Sequence, residues 1–189
     1  LKKQILVFSI PLMLSNLLQV LFNMSDIAVI GQFAGAMSLG AVGSTTTLIS
    51  MYTGFLIGLS GGINVLTALY IGARNRKSVS ETVHSAFLVS LVVGLILLIL
   101  GVSTSRGVLV LLNTKEELID KAALYIRIYF LGIPALALYN FGNAVFSAAG
   151  DTGRPLRYLF LSGIVNVILN LFFVIVCKLD VVGVALAKL

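Results

Sequence analysis

Long apolar runs separated by short charged breaks dominate this chain, and they leave few folds open to it. The run LVVGLILLILGV (91–102) holds no charge and no proline. Comparable stretches fall at about 4–30, 39–71, 81–104, 119–149 and 156–177, and another opens at about 180–189. A helix that crosses a bilayer needs about 20 mainly apolar residues. The pattern therefore predicts five full spans plus the start of a sixth. Composition removes the main alternative: 59% of residues are hydrophobic and 11% charged, against about 25% charged in soluble domains. Too little polar surface is left for a water-soluble globule. The expected fold class is all-α, a polytopic helical bundle in a lipid bilayer.

The breaks carry the charge and set the orientation. Lys2 and Lys3, then Arg74, Arg76 and Lys77 in GARNRKS (72–78), then Arg154 and Arg157 around GDTGRP (150–155) all fall on one side of the predicted topology. The alternate breaks hold Arg106, Lys115 and Lys178 with acids nearby. The positive-inside rule places the N-terminus in the cytoplasm. A net charge of +6 thus reads as membrane orientation, and no nucleic acid partner is expected. GQFAGAMS (31–38) reads as a short uncharged linker, and SRGVLVLLNTKEEL (105–118) as a longer connection at the membrane surface. A single cysteine, Cys177, allows neither an internal disulfide nor a cysteine metal cluster. No phosphate loop, metal-ligand cluster or nucleophile constellation is visible, so neither a cofactor nor catalysis is expected.

Polar residues inside the spans are the informative exceptions. Asn16, Gln19, Asn23 and Asp26 lie three, four and three residues apart. At about 100° per residue they fall within an arc of about 80° on the first helix. A charge near the bilayer centre costs about 2.5–3.5 kcal/mol on insertion scales, so such a stripe should face other helices or a water-filled cavity. A carboxylate at the helix end, open to the outer interface, is the plainer alternative for Asp26. Ser162, Asn166 and Asn170 follow at one-turn spacing on the fifth predicted helix; Asn140, Asn143 and Ser147 share a face of the fourth. Interhelical hydrogen bonds worth about 0.6 kcal/mol each would explain any one of them. Three polar faces in one bundle favour a common cavity. Pro11 and Pro134 should bend the first and fourth helices, because proline removes a backbone donor.

The segments IPLMLSNLLQVLFNMSDIAVIG, LGAVG, GLSGGINVLTALYIGARN, AAGDTGRP and NVILNLFFV resemble, in order and spacing, the multidrug and toxic compound extrusion (MATE) family. The likeness covers nearly the whole chain. It implies twelve helices in two six-helix lobes around an outward-opening cavity, and export of organic cations and other drugs driven by inward H⁺ or Na⁺. Only the first lobe is represented and its sixth helix is unfinished. The implied partners are small cationic drugs, the lipid bilayer of the cytoplasmic membrane, and a missing C-terminal lobe. The family pattern assigns coupling to Asp26 and Asn166, together with position 170. There this chain has Asn170 where many members have an aspartate, which puts a two-carboxylate relay in question. Lys188 also departs, since threonine is frequent at that position. Two rivals are a lipid or lipid-linked oligosaccharide flippase of the same superfamily, and a non-transporting membrane assembly lobe.

Overall fold

The structure, a computed structural model, describes residues 2–189. Residues 2–5, 7 and 8 are described by backbone alone, so Lys2 and Lys3 lie outside the described side chains. Helix α1 (Lys2–Val29) passes into a π-helical turn, Ile30–Ala34, and α2 (Gly35–Gly72) follows at once. Then come α3 (Arg76–Leu111), α4 (Glu116–Leu131), α5 (Ile133–Ala148) and α6 (Gly153–Leu171). A second π-helical turn, Phe172–Val176, leads to α7 (Asp180–Ala187). No strand occurs among the described residues.

Within the expected linker at 31–38 the chain forms the π-helical turn Ile30–Ala34 and then enters α2 at Gly35. Segment 9–72 counts as one apolar stretch of 64 residues. At 1.5 Å per residue it would be about 96 Å long, about three times the hydrocarbon core. Gly35 divides it: its backbone (φ 86, ψ 171) lies outside the helical region, a conformation that glycine adopts without strain. Three helices are long and apolar enough to cross a membrane, or four with the bent α4–α5 pair as one span; divided at Gly35, the 64-residue stretch is long enough for two passes. The eight residues of α7 form a further, short helix.

The connection expected at 105–118 is shorter than the sequence suggests. Ser105 to Leu111 stay helical because VLVLL continues an apolar face, and α3 stops only near Asn113, whose φ is 54. The bend at Pro134 is present: α4 and α5 meet at 50°. Pro134 has no N–H to offer the Phe130 carbonyl. Pro11 lies inside α1, and the Ser15 hydroxyl donates to its carbonyl at 2.9 Å.

Small residues let the helices approach. The buried positions of α3 are Ala86, Ser90, Gly94, Leu97, Gly101, Ser105 and Leu109, one per turn. A Cβ on Gly94 would stand 2.7 Å from the Pro134 Cα, and one on Gly101 would run into the Phe130 ring. Such close backbone contact is how helices associate where lipid removes the usual hydrophobic drive. Hydroxyls along the spans return their protons to their own helix, as Thr45 does to the Val42 carbonyl at 2.7 Å and Ser90 to Phe87 at 2.7 Å. Each such bond satisfies a donor that hydrocarbon would leave unmatched; the buried Thr67 hydroxyl of α2 has no such partner among the described residues.

Candidate functional site

Helix α1 has three faces. Leu18, Phe22, Ser25 and Val29 are half-buried or buried. Met13, Leu17, Val20, Met24 and Ile27 are exposed and apolar. On a helical wheel, Asn16, Gln19 and Asn23, all exposed, occupy a sector between those two. Asp26 lies where the polar sector meets the packed one, and it is buried, 3% exposed. The open helix-end reading of this carboxylate is thereby corrected: a neighbouring helix and the start of the next cover it.

Three elements converge on Asp26. Helix α6 lies against α1 because Gly163 leaves room for the Phe22 ring; any Cβ at 163 would strike it. Two turns beyond Gly163, Asn170 is 1% exposed and its Nδ2 donates to Asp26 Oδ1. The other carboxylate oxygen receives Lys188 Nζ at 3.0 Å. Lys188 caps the C-terminus of α7, the end where the helix dipole favours a cation. Asn166, one turn before Asn170, donates from Nδ2 to the Ala187 carbonyl at 2.9 Å and fixes that helix end. Tyr125 of α4 is fully buried, and its hydroxyl lies beside the Lys188 ammonium, in the field of Lys188 and Asp26. Asn170 Oδ1 is buried and has no hydrogen-bond partner among the described residues.

Chemically this is a desolvated ion pair with one amide donor and spare oxygen capacity beside it. Removing water from two charges costs several kcal/mol per ion. Their attraction offsets that only while both partners stay in place. Such a cluster can hold one cation against a carboxylate inside an apolar bundle, and it responds sharply to loss of either partner.

The remaining sequence candidates fall elsewhere. Ser162 is exposed at the edge of α6. Asn140 donates to the Leu136 carbonyl at 2.8 Å within its own helix. Asn143 accepts from the Ser147 hydroxyl at 3.4 Å. Neither asparagine hydrogen-bonds the Asp26 cluster. Asn64, not singled out by sequence, joins α2 to α5 by donating to the Ala144 carbonyl at 2.8 Å. Lys188 and Tyr125 also escaped notice as partners of Asp26. Asp120 pairs with Arg106 at 3.5 Å. No group of three or more His, Cys, Asp or Glu suited to a metal occurs among the described residues.

Several bilayer-length helices with a buried carboxylate–ammonium pair among them define a polytopic membrane protein. The sequence profile of the MatE family matches residues 11–172, and the chain belongs to that family. It is similar to a probable multidrug resistance protein, YpnP, of Bacillus subtilis, 34% identical over 97% of this chain and 41% of the relative. It is also similar to a probable multidrug resistance protein, NorM, of Thermotoga maritima, 27% identical over 89% of this chain and 36% of the relative. A crystal structure of a MATE protein in complex with MaD3S superposes with a TM-score of 0.91 at 27% identity, over 99% of this chain and 42% of that one. A MOP-superfamily transporter from Pyrococcus furiosus, described as having a binding pocket of reversed polarity, superposes at 0.92 and 27% identity over 99% and 41%. The chain spans between 35% and 41% of the length of the first curated relatives it matches.

Proposed function

We propose that this chain is the N-terminal lobe of a MATE-type antiporter that exports organic cations and other drugs across the cytoplasmic membrane by alternating access. Inward H⁺ or Na⁺ drives it, and the N-terminus faces the cytoplasm. A second six-helix lobe completes the substrate path. The observation that carries the reading is the buried Asp26, held by Asn170 and Lys188 at the junction of α1, α6 and α7. A carboxylate kept in lipid at such cost marks an ion pathway more often than a structural tie. Asn166 and Asn170 position the cluster. The exposed polar sector of Asn16, Gln19 and Asn23 lines the route to it.

The test uses the full-length protein in vesicles. A fluorescent organic cation is loaded and its efflux followed with and without a pH or Na⁺ gradient, for the wild type and Asp26→Asn. The proposal expects gradient-driven efflux that Asp26→Asn uncouples. Equal gradient dependence in both proteins would contradict it.

Lys188 favours a second reading, a carrier whose cargo bears an anionic group, as for a lipid-linked flippase. An ammonium at 3.0 Å from Asp26 offers a site for phosphate or carboxylate once the pair opens. Competition of dye efflux by an anionic lipid headgroup analogue distinguishes it from drug export.

A further inference from the structure

Asp26 and Lys188 sit on different helices, and their side chains are covered to different degrees. The Asp26 side chain is 4% exposed and that of Lys188 20%. The lysine therefore lies on the outer side of the carboxylate and covers it. The groups that face Asp26 come from every element packed there. Lys188 comes from α7 and Asn170 from α6, while Tyr125 lies on α4 with Tyr129 close to Lys188. Lys188 is the one cation in this set.

We infer that Lys188 is a tethered counter-ion: its ammonium occupies, in this conformation, the position beside Asp26 that a coupling cation must take. The inference rests on the reading of Asp26 as the coupling carboxylate. Coupling is then an exchange. The incoming H⁺ or Na⁺ displaces the ammonium, and the freed lysine moves to the exposed polar sector of α1. The site is built for such an exchange. The unpartnered Asn170 Oδ1 supplies a second oxygen next to the carboxylate for a cation. Lys188 thereby sets how much coupling cation is needed, and it is a positioning and specificity-determining residue rather than a transport ligand.

The experiment compares full-length wild type, Lys188→Met, Lys188→Arg and Asp26→Asn in lipid. Infrared difference spectra at neutral pH read the carbonyl stretch of a protonated carboxyl, assigned by its loss in Asp26→Asn. Vesicle efflux reads the H⁺ or Na⁺ concentration giving half-maximal rate. The expected result is no protonated Asp26 band in the wild type or in Lys188→Arg, and a clear band in Lys188→Met. Half-maximal efflux in Lys188→Met should need about tenfold less coupling cation, while Lys188→Arg stays near the wild type. The inference is overturned if the Asp26 band is already present in the wild type, or if Lys188→Met and the wild type give the same spectrum and the same cation requirement. The spectra do not depend on drug transport. A protein that moves no organic cation yet gains the band in Lys188→Met would refute drug export and leave the counter-ion standing.

Discussion

Helix α7 is held at both ends by an ion pair, and the two pairs are built differently. At its start, Asp180 meets Lys121 of α4 at 2.7 Å, with the Ser38 hydroxyl 3.3 Å from the same ammonium. Those side chains are 41% and 36% exposed. At its other end, Lys188 meets Asp26 at 3.0 Å with side chains 20% and 4% exposed. Distance alone would rank the first pair as the stronger. Burial reverses the order of consequence. A half-exposed pair can exchange part of its contact for water, although Asp180 Oδ1 is itself buried and unpartnered among the described residues, and its net worth is about 0–1 kcal/mol. A desolvated pair has no such alternative, so removal of one member leaves a stranded charge. The first pair anchors the helix; the second stores a conflict that a moving cation can resolve.

The sharpest way to break this contrast is to remove one charge at each end. Lys188→Met should lower the stability of the full-length protein by about 3–5 kcal/mol, read by thermal unfolding in detergent. Adding Asp26→Asn should recover most of that loss. A smaller effect follows from the packing that creates the buried end: Gly163→Ala pushes α6 off Phe22 and should cost about 1–3 kcal/mol. If Gly163→Ala also raises gradient-independent leak, the α1–α6 contact governs coupling as well as stability. Asp180→Asn at the solvated end should cost less than about 1 kcal/mol and leave the cation requirement of efflux unchanged. Smallest of all, Gln19→Ala and Asn23→Ala should shift stability by no more than about 0.5 kcal/mol, because both are exposed. A reduced efflux rate in the same variants would mark their sector as the route to Asp26.

Sequence periodicity reached the bundle because hydropathy alone defines bilayer-length helices, and α3 is plain in LVVGLILLILGV. It ended α3 too early because no breaker stands there: the tail at 105–111 contains nothing that forbids a helix. The polar stripe on α1 was visible, yet spacing could not tell that Asp26 turns inward while Asn23 faces out. That difference depends on Gly163 and Asn170, far along the chain. Lys188 carried a signal that could have been used: a lysine in an apolar helix needs a carboxylate, and Asp26 was the acid within the spans. Its bond to Asp26 joins the two ends of the chain, and no local pattern records such a contact.

The claim on which the rest depends is that Asp26 and Lys188 act as one unit. A double-mutant cycle on full-length protein tests it, using Asp26→Asn, Lys188→Met and the pair together, with thermal stability as the readout. A parallel cycle on Asp180→Asn and Lys121→Met supplies the reference. The account predicts a coupling near the upper end of the range for contacting residues, about 3 kcal/mol, for the buried pair, and under about 1 kcal/mol for the solvated one. Additivity within about 0.5 kcal/mol at Asp26 and Lys188 would contradict it.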